Sequence, residues 1–222
     1  MFLTVGHRGA RAYETENTIE SFGKAIEMGA NAVEFDVRRS KDEHLVVSHD
    51  DNLKRVYGRD VALRGATLKE LKELSGDRIA TLEEALRFMR GKVGKILVEL
   101  KEPGYEKKAL DSIRKEKLSN QVIVVSFHEE ALENVRKLDR KVETGLIYAR
   151  FRNPVEAALR LSAQYLVPLY RFVHTKDIEK AHKNNIRVIV WTINTKEEAR
   201  QYIAKGVDGI ATDKPDIFKG MV

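Results

Sequence analysis

The amino-acid sequence predicts an α/β fold, a (β/α)₈ TIM barrel with an extra hairpin strand and a short insertion after the second strand. Three observations predict it. Eight short apolar runs rich in β-branched residues recur along the chain. Amphipathic stretches separate most of them, and strand–helix alternation implies a parallel sheet. Eight such units in 222 residues favour a closed barrel over an open doubly wound sheet.

The eight runs are Leu3–His7, Ala32–Val37, Ile96–Lys101, Val122–Phe127, Thr144–Tyr148, Tyr165–Pro168, Arg187–Thr192 and Asp208–Thr212. Helical spacing of apolar residues marks Thr18–Glu27, Leu82–Met89, Tyr105–Glu116, Glu129–Lys137, Pro154–Leu161, Lys176–Asn184 and Glu197–Lys205. Thr81 with Glu84, and Thr195 with Glu198, have the spacing of a capping box at a helix start. Gly29 and Gly206 each stand between a helix and a strand, where a left-handed residue is expected.

Leu45–His49 is a ninth apolar run, separated from Ala32–Val37 by too few residues for a helix. It is expected to fold back as a hairpin through Lys41-Asp42-Glu43-His44. A turn centred on Asp42-Glu43 sets Asp36 opposite His49, and a one-residue slip would face His49 the other way. Residues 50–80 form a small insertion, expected to hold a strand extension and a short helix at Leu68–Leu74. The whole of 1–222 is expected to be a single domain.

Composition narrows the function. With no cysteine there are no disulfides and no thiolate metal sites, so any metal is held by oxygen or histidine. The net charge is +6, but lysine and arginine alternate with acids, as in Arg114-Lys115-Glu116-Lys117. A nucleic-acid partner would call for clustered basic residues with aromatics, so none is expected. No stretch has the length of a membrane span, and the chain enters an apolar strand at once without the pattern of a leader. A soluble, cytoplasmic protein with no stable membrane anchor follows as the expectation, with room for a homo-oligomer.

In a barrel of this kind the chemistry sits at the C-terminal ends of the strands. The first strand ends in His7-Arg8-Gly9, a proton-exchanging side chain beside a fixed guanidinium fork. The second carries Glu34-Phe35-Asp36, whose alternation puts both acids on one face, roughly 7 Å apart along the strand. Two inward acids are costly unless neutralised, and a divalent cation does this well. An ion pair with Arg8 or Lys101 is the competing reading. Glu99 and Lys101 share a face of the next barrel strand, as a third carboxylate and a phosphate partner. His49-Asp50 ends the hairpin strand beside the acids. Trp191, the only tryptophan, stands at a strand end, either as an apolar wall for the alcohol part of a substrate or as a side chain that plugs the barrel or packs a helix. His44, His128, His174 and His182 fall on turns, loops or helix surfaces.

Taken in order, His7-Arg8-Gly9, Glu16-Asn17-Thr18, Glu34-Phe35-Asp36-Val37, His49-Asp50, Val98-Glu99-Leu100-Lys101, Trp191-Thr192-Ile193-Asn194 and Gly206 to Asp213 resemble the glycerophosphodiester phosphodiesterase family of phospholipase-C-like barrels. The resemblance runs from the first strand to the last. It implies a barrel binding one divalent cation, Mg²⁺ or Ca²⁺ with Mn²⁺ as a third candidate, at Glu34, Asp36 and Glu99. It further implies His7 and His49 as the acid–base pair, and Arg8 and Lys101 as phosphate ligands. The implied reaction is hydrolysis of a small-molecule glycerophosphodiester to sn-glycerol 3-phosphate and an alcohol. The family pattern has Asp-Gly at the hairpin turn, where this chain has Asp42-Glu43. Three other readings use the same residues: a lysophospholipase D with a wider mouth, a Schiff-base aldolase at Lys101, and a phosphodiester-binding barrel without turnover.

Overall fold

The structure, a computed structural model, describes residues 1–221. Its strands are β1 (Leu3–His7), β2 (Ala32–Arg39), β3 (Leu45–Val47), β4 (Lys95–Leu100), β5 (Val122–Ser126), β6 (Glu143–Tyr148), β7 (Tyr165–Pro168), β8 (Arg187–Val190) and β9 (Gly209–Thr212). They bond in the order β1-β9-β8-β7-β6-β5-β4-β2-β3, and β1 pairs with β2 to close a ring of eight parallel strands. β3 lies outside the ring, antiparallel to the end of β2. The helices are α1 (Ile19–Glu27), α2 (Lys54–Tyr57), α3 (Leu68–Ser75), α4 (Leu82–Met89), α5 (Glu106–Lys115), α6 (Glu129–Leu138), α7 (Pro154–Leu161), α8 (Thr175–Lys183) and α9 (Lys196–Ala204).

Alternation along each strand divides the core in two. Leu3 and Val5 of β1, Ala32 of β2, Leu97 of β4 and Val125 of β5 pack together inside the ring. Their neighbours Val33, Phe35, Ile96 and Val98 point outwards against Phe22 of α1 and Leu86 of α4. Burying each large side chain contributes about 1.5–3 kcal/mol, which fixes the strand register. The next inward positions towards the strand C-termini are His7, Glu34 and Asp36, Glu99 and Lys101, so the same alternation that fills the barrel delivers the polar residues to its mouth.

The helix starts read from the sequence form with one variation. Thr81 and Glu84 make a reciprocal capping box. Thr195 accepts from Glu198 N, but the Glu198 carboxylate takes the Thr195 and Tyr170 hydroxyls instead of the cap backbone. Gly29 and Gly206 hold the left-handed φ values of 96° and 90°. The strand expected to reach Thr192 stops at Val190, and Trp191 makes only an isolated bridge to Leu169.

The hairpin corrects the expected register by one residue. Val37 pairs with Val47 and Arg39 with Leu45, so the turn centres on Asp42 alone and Ser48, not His49, lies opposite Asp36. Ser40 closes the turn: its Oγ accepts from His44 N and donates to Asp42 Oδ1. Glu43 holds φ 63°, the left-handed conformation that glycine takes most easily. In the insertion, α3 matches the expected helix, whereas α2 was not read from the sequence. Leu53, Leu63, Leu71 and Ile79 give this segment its own small core over Val46 of β3.

Candidate active site

Three buried carboxylates meet at the barrel mouth. One oxygen from each of Glu34, Asp36 and Glu99 lies within 4.8 Å of the others. Glu34 Oε1, Asp36 Oδ1 and Glu99 Oε1 are buried without a hydrogen-bond partner. The ion-pair reading is present too. Arg8 Nε lies 3.3 Å from Asp36 Oδ2, and Lys101 Nζ lies 3.3 Å from Asp36 Oδ1 and 2.6 Å from Glu99 Oε1. Two cations facing three acids leave the cluster incompletely neutralised. All donor atoms are carboxylate oxygens, the set a hard divalent cation takes. The residues therefore fit such a cation.

The acids titrate in opposite directions. Burial, then the charges of Asp36 and Glu99, push Glu34 well above the usual carboxylate range. Burial and Asp36 push Glu99 up to about 7, against Lys101. Asp36 goes down: burial opposes this, but the charges of Lys101 and Arg8 prevail. Asn17 adds to that effect, donating from Nδ2 to Asp36 Oδ2 at 2.8 Å while its Oδ1 accepts from Asp36 N.

The loop after β1 is shaped for this arrangement. Arg8 adopts a left-handed φ of 57°, which aims its N–H at Glu34 Oε2, 2.9 Å away. Non-glycine residues hold that conformation at a cost, typically where surroundings enforce it. Gly9 follows at φ 83°, where an added Cβ would sit 2.3 Å from Ser21 Oγ. Only glycine lets this turn lie against α1, whose first turn is capped by Thr18.

Each histidine is held by a carboxylate. His7 Nδ1 lies 2.8 Å from Asp213 Oδ1, and Asn194 Nδ2 donates to Asp213 Oδ2 at 2.8 Å. Burial pushes the His7 pKa down, and the Asp213 hydrogen bond opposes this only in part. His49 Nδ1 lies 2.7 Å from Asp50 Oδ1. Burial lowers its pKa too, opposed by the charge of Asp36. In the neutral form of either ring a bond to a carboxylate places the proton on Nδ1, so that Nε2 is the atom that takes up or gives up a second proton. His49 joins the site although the hairpin register differs from expectation. β3 ends at Val47, and the chain then bends, held by Arg38 Nε on the His49 carbonyl and by Ser48 Oγ on the Asp50 carbonyl.

A chain of ion pairs links the two halves of the site. Arg8 donates to Glu16, Arg55 of α2 donates to Glu16 through both terminal nitrogens, and Arg55 Nε donates to Asp50 at 2.6 Å. Burial notwithstanding, the Arg55 and Arg8 contacts hold Glu16 at about 2. His7, Arg8, Glu34, His49, Glu99, Lys101, Phe127 and Trp191 line one cavity, with Val125, Ile147 and Val167 as its floor. Trp191 packs against the inner core, donates Nε1–H to the Val167 carbonyl and meets Phe127 edge-on. His44, His128, His174 and His182 are exposed and outside the cavity.

The model of the glycerophosphoryl diester phosphodiesterase family matches residues 7–217. The chain belongs to that family. As one of the glycerophosphoryl diester phosphodiesterases it is an enzyme, a phosphoric diester hydrolase. It is similar to the glycerophosphodiester phosphodiesterase of Caldanaerobacter subterraneus subsp. tengcongensis, 34% identical over 99% of this chain and 97% of the relative. Among solved structures, the Thermotoga maritima glycerophosphodiester phosphodiesterase is 35% identical with a TM-score of 0.82, covering 100% of this chain and 99% of that one. An Oleispira antarctica phosphodiesterase solved with the product sn-glycerol-3-phosphate is 25% identical with a TM-score of 0.89, covering 97% and 94%.

Within this phosphodiesterase the structure brings together all eight residues singled out in the sequence, seven along the cavity and Asp36 beneath it. It adds Asp213, Asn194, Glu16, Asn17, Asp50 and Arg55. Asp213 had a readable signal, since it lies two residues beyond the inward-facing Ala211. Arg55 had none: it meets Glu16 across 39 positions of sequence.

Proposed function

We propose that this chain hydrolyses glycerophosphodiesters to sn-glycerol 3-phosphate and an alcohol, with Glu34, Asp36 and Glu99 holding one divalent cation. The observation that carries this reading is the convergence of three buried carboxylates, with Glu34 Oε1 unpartnered and Lys101 alone shared between Glu99 and Asp36, beside Arg8 and two carboxylate-held histidines. The product bound to the Oleispira antarctica relative supports the substrate class.

A cation held at the three acids supplies Lewis-acid stabilisation of charge on the phosphate. Arg8 and Lys101 orient the phosphodiester and offset the charge that grows in the transition state. His7, with a side chain 13% exposed, is the more enclosed ring and is kept neutral by burial, which suits a base. Its Nε2 takes the proton from the nucleophile, either water or the substrate 2-hydroxyl. The bond from phosphorus to the alcohol oxygen breaks, and His49, entering as the imidazolium with Nδ1–H on Asp50, delivers its Nε2 proton to the leaving alkoxide. Where the 2-hydroxyl attacks, water then opens the cyclic phosphodiester to sn-glycerol 3-phosphate. At 33% exposed, His49 sits nearer the rim, where the alcohol leaves.

Asp213 is a positioning residue in this scheme. Asp213→Asn offers an amide where His7 Nδ1–H needs an acceptor, and the wrong tautomer then blocks Nε2. The expected result is a fall in kcat on the order of a hundredfold with KM near its original value. A raised KM with unchanged kcat would assign Asp213 to substrate binding. The substrate class is tested by comparing glycerophosphocholine with lysophosphatidylcholine. Faster release of choline, the product common to both substrates, is expected from the former. Preference for the latter would make the enzyme a lysophospholipase D.

A further inference from the structure

We infer that the rim of the barrel mouth formed by the β6–α7 and β7–α8 loops docks on the anionic headgroup layer of a lipid surface. The loops read Arg150-Phe151-Arg152 and Arg171-Phe172, and all five side chains are exposed. They meet in space, with the Arg150 guanidinium 4.5 Å from the centre of the Phe172 ring. Among the described residues, every exposed phenylalanine or tyrosine follows the C-terminal end of a barrel strand: Tyr13, Phe127, Phe151 and Phe172. The remaining exposed large apolar side chains are aliphatic.

On the helices that follow these loops, Arg160 and Lys180 are paired with Glu129 and Glu156. Among the described residues no carboxylate pairs with Arg150, Arg152 or Arg171; Arg150 rests on Phe172, and Arg171 donates to the Tyr170 hydroxyl. Asp177 is the one acid in the groove between the loops. Unpaired guanidiniums suit the phosphates of a headgroup layer, and aromatic rings suit the depth just beneath them. A small anion in water would use the arginines but has no need of two solvent-facing rings. The loops adjoin the catalytic cavity, because Leu169 bridges to Trp191 and Tyr170 N donates to the Trp191 carbonyl. The docking stands on these loops alone and goes beyond the proposed activity.

The test is co-sedimentation of the full chain with phosphatidylglycerol/phosphatidylcholine vesicles and with phosphatidylcholine vesicles, at low and at high salt. Wild type is expected to bind the anionic vesicles at low salt and release them as screening rises. F151S/F172S keeps every charge and is expected to lower the partition coefficient roughly tenfold. Its turnover of glycerophosphocholine in solution is expected to match wild type. Equal binding by variant and wild type would assign the attraction to the net charge of +6 and overturn the proposal. So would no wild-type binding, or equal binding to neutral vesicles. Self-association or binding of single-stranded RNA that disappears in the variant, without vesicle binding, would give the loops another occupant and overturn it as well. Absent turnover in wild type would count against the proposed activity while leaving the vesicle result readable.

Discussion

Replacing His49 with alanine is expected to lower kcat by about 10²- to 10⁴-fold, the range for loss of a positioned proton donor. The thermal midpoint is expected to stay close to wild type. His49 lies beyond the end of β3 and is partly exposed, and its ring contact is with Asp50 rather than the apolar core. Removing the ring leaves Asp50 bonded to Arg55, so no buried charge is stranded. Steady-state kinetics on glycerophosphocholine and a melting curve on the same preparation make the check. Near-normal kcat would end the two-histidine scheme, and a large fall in melting temperature would recast His49 as a structural residue.

A divalent cation is expected to stabilise the folded chain, and more so at higher pH. At a hundredfold excess over Kd the gain is about 2.7 kcal/mol. The pH dependence follows from the acids. Glu99 is raised to about 7 in the folded state, so without a cation its contribution is fully present below its ordinary pKa of 4.5 and is lost as pH rises through about 7. Glu34 moves in the same direction. A bound cation takes the place of those protons, so its stabilising effect grows across that window. His7 has the opposite slope: its folded pKa is lowered, so stability is lost as pH falls below 6.5. His49 slopes the same way, so the acids are identified by the part of the cation-induced shift that is lost when they are neutralised. Glu34→Gln and Glu99→Gln are each expected to shrink the cation-induced shift. A shift that is flat with pH, or unchanged in both variants, would place any cation elsewhere.

Much of this architecture is legible in the sequence because both faces of each barrel strand are buried. Phe35 must face α1 and Leu86, so Glu34 and Asp36 must face inwards; no other register keeps Phe35 in the core. The same logic extends from Ala211 to Asp213. The hairpin was harder to read because Glu43, not glycine, holds the left-handed position, and nothing in residues 41–44 marks Asp42 as the centre. The resulting one-residue error did not remove His49 from the site, since strand alternation ceases at Val47. Helix α2 has four residues and none of them buried, so it carries no apolar period. Its Arg55 nonetheless ties Asp50 to Glu16, a connection that exists only after the insertion folds over the loop following β1.

The most direct measurement is release of sn-glycerol 3-phosphate from glycerophosphocholine by chelated enzyme, with Mg²⁺, Ca²⁺ or Mn²⁺ then added singly. The buried, incompletely neutralised carboxylates of Glu34, Asp36 and Glu99 predict no turnover in excess chelator and recovery with at least one of these cations. Full turnover in excess chelator would contradict a cation at this site.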